Sequence, residues 1–157
     1  MNTVVIFHSC YFDRKRDVGG YTCMIEKNGV TSEISNCYRS TSEARIALYG
    51  LIESLEFLHH ELSTVVVRTD SFLLSHQYTE KRLNILKNRN WLKRGSIVEN
   101  VDLLKRLSTL YEMHKVVTDW TGDTYVFIEN GLCKNKAKML TKTVKEPALD
   151  SRIYGAG

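Results

Sequence analysis

The 157-residue sequence has one proline, no Cys-x-x-Cys pair and no long apolar run. Its proline, Pro147, lies near the end of the chain, and no low-complexity tract or linker divides the rest. Because the cysteines are widely spaced, zinc-binding patterns are excluded. We therefore expect buried thiols in a reducing compartment, at Cys10, Cys23, Cys37 and Cys133.

The sequence also has no segment that approaches the roughly 20 apolar residues needed to span a bilayer. The apolar run at residues 4–7 is too short for a signal peptide. We therefore expect a cytoplasmic protein without a membrane partner. The formal net charge of +4 is only mildly basic, so local clusters of charge are more informative than the total.

The apolar patterning predicts the element order βββ-α-β-α-α-α-β-α. Ser40 and Glu43 have the spacing of a capping box at the start of the first helix. Strands are predicted at about residues 3–9, 21–26, 30–38, 64–69 and 115–120. Helices are predicted from the capping box to about residue 60, between Asp70 and the break at Gly95, at 101–111 and at about 130–142. Residues 1–142 are predicted to form one domain and residues 143–157 a flexible tail.

Six short motifs follow one another along the chain. They are Ile6-Phe7 with Ser9-Cys10 and Gly19-Gly20-Tyr21, Thr69-Asp70-Ser71, Trp91 with Lys93-Arg94-Gly95, Asn100-Val101-Asp102-Leu103, Trp120-Thr121-Gly122-Asp123, and Glu129-Asn130 with Cys133 and Ala137. In this order they resemble the ribonuclease H family, type 1, over about residues 3–141. The resemblance implies an α/β, ribonuclease H-like fold. Its five-stranded mixed sheet has three antiparallel strands and then two crossover strands, flanked by helices.

In that family, four carboxylates hold two divalent ions at the scissile RNA phosphate. The resemblance places one of them at Asp70 and the other three at Ser9, Ala47 and Lys134, none of which is a carboxylate. Lys134 reverses the charge, so its ammonium should neutralise Asp70 and repel a divalent cation. The position of the family's mobile catalytic histidine corresponds to Asp123. The resemblance therefore implies a diverged member whose standard metal site is lost, and we expect no metal cofactor.

A rearranged metal site is the alternative. It would combine Asp70 with carboxylates from Asp123, Glu129, Glu43 or Asp13 and would use magnesium or manganese. Asp13 lies beyond the first strand in a loop, and the capping box already explains Glu43.

A one-sided cluster of cations, which we call the basic segment, covers residues 81–94. Lysine and arginine neutralise phosphates, and aromatic groups add stacking. The family's matching protrusion contacts the DNA strand of a hybrid. The candidate nucleic-acid contacts are Lys81, Arg82, Lys87, Arg89, Trp91, Lys93, Arg94 and Asn100, with Lys134 and Lys138 on the last helix.

Three functions follow as hypotheses. The first is an inactive ribonuclease H-like protein that binds RNA, an RNA–DNA hybrid or a single strand. The second is an active nuclease with displaced carboxylates around Asp70. The third is an inhibitor or assembly module that uses the fold to bind a protein partner. A small, diverged, single-domain copy of this kind would suit a viral or mobile-element genome.

Overall fold

The structure is a computed structural model that describes residues 2–58 and 62–151. The predicted end of the first helix at residue 60 and the last part of the predicted tail, residues 152–157, lie outside the described residues. None of the described helices is both long and apolar enough to cross a membrane.

The five predicted strands occur in the predicted order among the helices, but the helical pattern predicted up to Gly95 ends at Asn88, and three two-residue strands were not predicted. The strands are β1 (Asn2–Asp13), β2 (Val18–Lys27), β3 (Val30–Arg39), β4 (Ser63–Thr69), β5 (Leu92–Lys93), β6 (Ser96–Ile97), β7 (Lys115–Trp120) and β8 (Ala148–Leu149). The α-helices are α1 (Glu43–Phe57), α2 (Glu80–Asn88), α3 (Val101–Met113) and α4 (Ile128–Thr143). A π-helical segment covers Leu73–Gln77, and a 3-10 turn covers Thr124–Val126.

The main sheet is mixed, with the strand order β7-β4-β1-β2-β3-β8. Strands β1, β2 and β3 are antiparallel, whereas β4 pairs parallel with β1 and β7 pairs parallel with β4. This confirms the predicted fold class, but the sheet has six strands rather than five. The sixth strand, β8, pairs parallel with β3 over two residues, which is too short for a side-chain period to be visible in the sequence. Strands β5 and β6 form a separate small hairpin.

Helices cover both faces of the sheet. His8 of β1 contacts α1, whereas the next residue, Ser9, contacts α4, as the alternation of side chains along a strand requires. Helix α1 is fully buried along its apolar stripe at Ile46, Leu48, Leu51, Ile52 and Leu55. The prediction of buried thiols is confirmed, since all four cysteines are free and buried.

Helix α1 begins two residues later than the capping box predicts. Ser42, not Ser40, is the N-cap, and its hydroxyl accepts a hydrogen bond from the Arg45 backbone N–H at 3.2 Å. Ser40 lies outside the helix with φ of 56°. Glu43 is the first helical residue and faces Arg14 at 3.5 Å instead of closing a capping box.

The described part of the predicted tail is not a free extension. The Asp150 side chain is fully buried, and its carboxylate accepts hydrogen bonds from Arg45 Nε at 2.8 Å, Thr41 Oγ1 at 2.7 Å and the Tyr49 hydroxyl at 2.8 Å. Arg45 is itself 2% exposed and also pairs with Asp102 at 2.8 Å. An ion pair between residues so far apart leaves no local pattern, so the sequence did not indicate it.

Candidate functional site

Asp70 lies where β4 ends, at the carboxyl edge of the parallel strands, and its side chain is 9% exposed. Thr124 Oγ1 donates a hydrogen bond to Asp70 Oδ2 at 2.5 Å. Lys134 Nζ lies 3.7 Å from the same oxygen and donates to the Cys10 carbonyl at 2.6 Å. One oxygen of the carboxylate is therefore occupied by a hydroxyl and balanced by an ammonium.

Ser9 is held by a hydrogen-bond network with α4. Its hydroxyl donates to the Asn130 carbonyl at 3.2 Å. Asn130 is fully buried, and its Nδ2 donates to the carbonyls of His8 at 3.0 Å and Arg68 at 3.1 Å. The position where the resemblance implies a carboxylate thus joins α4 to β1 and β4.

His8 occupies the space between β1 and α1. Its Nε2 lies 3.0 Å from the carbonyl oxygen of Ala47, and its Nδ1 lies 2.8 Å from the Thr69 hydroxyl. A carbonyl only accepts, so Nε2 carries the proton and Nδ1 accepts from Thr69 in the neutral ring. Burial lowers the pKa of His8, which favours this neutral form. A Cβ at Gly50 would lie 2.7 Å from His8 Nε2, so the glycine makes room for the imidazole.

Two of the other candidate carboxylates accept hydrogen bonds from backbone groups close to them in the chain. Asp13 accepts hydrogen bonds from the backbone N–H groups of Lys15 and Arg16 in its own loop. Asp123 caps the 3-10 turn by accepting from the Tyr125 N–H at 2.9 Å. Glu129 lies in the first turn of α4.

Within residues 2–58 and 62–151, no group of three or more His, Cys, Asp or Glu side chains is placed to hold a metal ion. Magnesium and manganese need several hard oxygen ligands, and an ammonium 3.7 Å from Asp70 opposes a second positive charge there. The residues present do not fit a pair of divalent ions.

The basic segment, residues 81–94, runs from α2 through strand β5 into the turn of the β5–β6 hairpin. Leu83 of α2 is fully buried in the core. Trp91 is partly buried and packs against the same core. Lys87 pairs with Glu112 of α3 at 2.6 Å. The remaining cations of the segment are exposed, and in the described part of the chain the structure gives them no ion pair: Lys81, Arg82, Arg89, Lys93 and Arg94. This leaves a solvent-facing positive surface.

Two further candidate contacts differ from this surface. Asn100 precedes α3 and accepts a hydrogen bond from Arg45 Nη1 at 3.4 Å, so its amide is used inside the fold. On α4, Lys138 is exposed and lies 5.6 Å from the centre of the Tyr11 ring. Lys136, two residues before Lys138 on the same helix, pairs with Glu33 at 2.6 Å.

Three residues that contact the Asp70 region were not predicted to belong to the site: His8, Asn130 and Thr124. His8 carried one usable signal, since it precedes Ser9 on the strand and must face the opposite layer. Thr124 carried none, because the 3-10 turn that directs its hydroxyl to Asp70 has no periodic pattern.

The RNase H family model matches residues 2–139. The ribonuclease H of Wigglesworthia glossinidia brevipalpis is 30% identical over 137 residues, covering 87% of this chain and 84% of that relative. The solved structure of LC9-RNase H1, a type 1 RNase H with the type 2 active-site motif, has a TM-score of 0.75 at 19% identity. It covers 90% of this chain and 72% of that one.

The foamy viral protease-reverse transcriptase in complex with RNA/DNA hybrid has a TM-score of 0.66 at 11% identity, covering 91% of this chain and 20% of that one. These two structures share the fold of the protein described here. Because the family model matches most of its length, this chain belongs to the ribonuclease H family.

Proposed function

We propose that this protein binds nucleic acid, as RNA, an RNA–DNA hybrid or a single strand, without the two-metal chemistry of its family. The observation that carries the proposal is the approach of Lys134 Nζ to 3.7 Å from Asp70 Oδ2. At this distance the ammonium supplies the positive charge beside the carboxylate that a metal ion would otherwise supply.

The hydrogen bonds around Asp70 support the same proposal. Thr124 occupies Asp70 Oδ2, and Ser9 and Ala47 provide no carboxylate. A single carboxylate with a paired ammonium binds a divalent ion weakly, because the ion must displace the ammonium and lacks further charged ligands. The protein is on this basis a pseudoenzyme.

The exposed basic segment supports the binding part of the proposal. Its solvent-facing cations neutralise phosphates and release counterions. Backbone contacts of this type carry no direct base sequence information, so binding should depend on salt more than on sequence. The family membership and a structural neighbour solved with an RNA/DNA hybrid favour such a hybrid as ligand.

A cleavage and retention assay tests both parts. Labelled RNA–DNA hybrid and single-stranded RNA are incubated with the protein in magnesium or manganese, beside an Asp70→Asn variant. We expect salt-dependent retention of nucleic acid without cleavage, in both proteins.

The other hypotheses give different results in this assay. Cleavage by the parent but not by Asp70→Asn overturns the pseudoenzyme and favours the active nuclease with displaced carboxylates. No retention even at low salt overturns nucleic-acid binding and favours the protein-interaction module.

A further inference from the structure

Three aromatic rings meet on the surface just beyond Asp70. The Phe72 and His76 rings are stacked, with centroids 4.1 Å apart and an interplanar angle of 10°. The indole of Trp120 stands nearly perpendicular to both, with its centroid 5.6 Å from Phe72 and 5.0 Å from His76. We call these three residues the aromatic cluster.

The cluster is exposed despite its apolar surface. Phe72 is 52% exposed and Trp120 is 46% exposed. The Trp120 centroid is nearly equidistant from the centroids of Phe72 and His76, so the indole lies beside the stack of these two rings and not above or below it. The indole therefore leaves the outer face of the stack uncovered.

The fold fixes the cluster at the same sheet edge as Asp70. Phe72 and His76 lie one helical turn apart, in and just before the π-helical segment, so their rings share one side. Trp120 is the last residue of β7 and pairs with Thr69, the residue before Asp70. A strand that lies along this edge would meet both the Asp70 site and the cluster.

Two carboxylates at this edge are balanced by cations, which lowers their repulsion of a phosphate strand. Asp70 is balanced by Lys134 at 3.7 Å, and Asp119, next to Trp120, is balanced by Arg68 at 3.7 Å. Asp70 and Asp119 are thus paired with cations, while the basic segment offers unpaired ones. Proteins that bind single strands combine exposed aromatic rings, on which unpaired bases stack, with cations that hold the phosphates.

We propose that the aromatic cluster is a stacking site for an unpaired nucleobase of a single-stranded nucleic acid. The proposal rests on the proposed function, because the same strand is held by the basic segment. Bases inside a duplex already stack on one another, so the site selects single strands or an unpaired end. A protein partner for this apolar surface is the competing occupant.

Trp120 is a built-in reporter for the site. The chain has two tryptophans, Trp91 and Trp120, so the Trp91→Phe variant leaves Trp120 as the sole source of tryptophan fluorescence. This variant is titrated with a short oligothymidylate and, separately, with an abasic strand of equal length. The two ligands carry the same phosphates, and binding of each is followed in parallel by fluorescence anisotropy of a strand label.

We expect the thymidine strand to quench Trp120 emission and the abasic strand to leave it unchanged while still binding. Equal responses to the two strands, or no response when anisotropy shows saturation, overturn the stacking site but leave nucleic-acid binding intact. Absence of an anisotropy change for both strands in the parent protein, measured beside Trp91→Phe, overturns the proposed function as well.

A conservative substitution separates stacking from folding. Phe72→Leu keeps apolar bulk but removes the ring, and should weaken binding of the thymidine strand by about fivefold or more, with no effect on the abasic strand. Phe57→Leu is the matched control, since Phe57 is 43% exposed and lies at the far end of α1, about 15 Å along the helix from Ala47. Equal losses for the two variants contradict the proposal.

Discussion

Lys134 Nζ lies 3.7 Å from Asp70 Oδ2, so the protein balances with its own ammonium the carboxylate to which the sequence resemblance assigns a metal ligand's position. The same ammonium donates to the Cys10 carbonyl at 2.6 Å, which ties α4 to β1. The pair is part of the packing between layers as well as the centre of the candidate site.

Removing the Lys134 charge should weaken nucleic-acid binding. For Lys134→Ala we expect the slope of log K against log salt to fall in magnitude, because the Asp70 carboxylate that the ammonium balances is then left to repel phosphates. The measurement is a salt titration of binding by anisotropy. Lys136→Ala is the control, because Lys136 lies on the same helix but is paired with Glu33 at 2.6 Å. An equal change in both slopes means that Lys134 has no specific part.

Restoring carboxylates should restore metal binding. The double variant Ser9→Asp/Lys134→Asp adds two carboxylates beside Asp70, so that three would face one site. We expect manganese to raise the melting temperature of this variant but not of the parent. Stabilisation should reach about 2.7 kcal/mol when the metal is 100-fold above its Kd. Adding Asp70→Asn should abolish the effect. A manganese-dependent shift in the parent contradicts our interpretation of the site.

The basic segment should bind through its unpaired cations. We expect Arg82→Ala and Arg89→Ala each to weaken binding of a hybrid at low salt and to reduce the salt slope. Lys87→Ala should have a smaller effect, because its ammonium already pairs with Glu112 at 2.6 Å. Binding isotherms for the three variants at several salt concentrations provide the comparison. If Lys87→Ala has the largest effect, the exposed cations are not the contact surface.

The fold was predictable because its main strands carry long, regular signals. The β-branched run before Asp70 and the apolar face of α1 both follow the period of their element, and both lie where predicted. Strand β8 has two residues and no period. The predicted start of α1 was wrong because Ser42, a residue type that caps as well as Ser40, is the N-cap, and the hydrogen bond from Thr41 to Asp150 fixes the chain between the two serines.

The candidate site was predictable only in part. Aligning motifs placed Lys134 near Asp70, because both positions follow from motif order. It did not place the Thr124 hydroxyl on Asp70 or His8 against Ala47, since these contacts depend on how turns and layers close in space.

Asp150 should be essential for stability. Asp150→Ala leaves Arg45, which is 2% exposed, with one fewer carboxylate, and we expect a loss of about 3–5 kcal/mol in the free energy of unfolding. Urea denaturation measures the loss. Asp102→Ala should cost less, because the Asp102 side chain is 42% exposed and water can replace it. Equal stability of Asp150→Ala and the parent contradicts the buried ion pair.

Stability should fall in mildly acidic solution. Burial lowers the pKa of His8 and of His114 below the ordinary value of 6.5, so the unfolded chain takes up protons first as the pH falls. The free energy of unfolding should be highest above pH 6.5 and decrease as the pH falls below it.

His114→Phe should reduce this pH dependence, because neither ring nitrogen of His114 has a hydrogen-bond partner within the described residues. Chemical denaturation at a series of pH values measures it, with exposed His76→Gln as a control that keeps the dependence. A flat profile in the parent contradicts the prediction.

The pairing of Arg45 with Asp150 also orders events during synthesis. The ribosome releases Arg45 together with the residues that build β1, β2, β3 and α1, long before Asp150 emerges. Until then the guanidinium lacks the one fully buried carboxylate that it contacts in the finished fold. The nascent domain therefore reaches full stability only after residue 150 has left the exit tunnel.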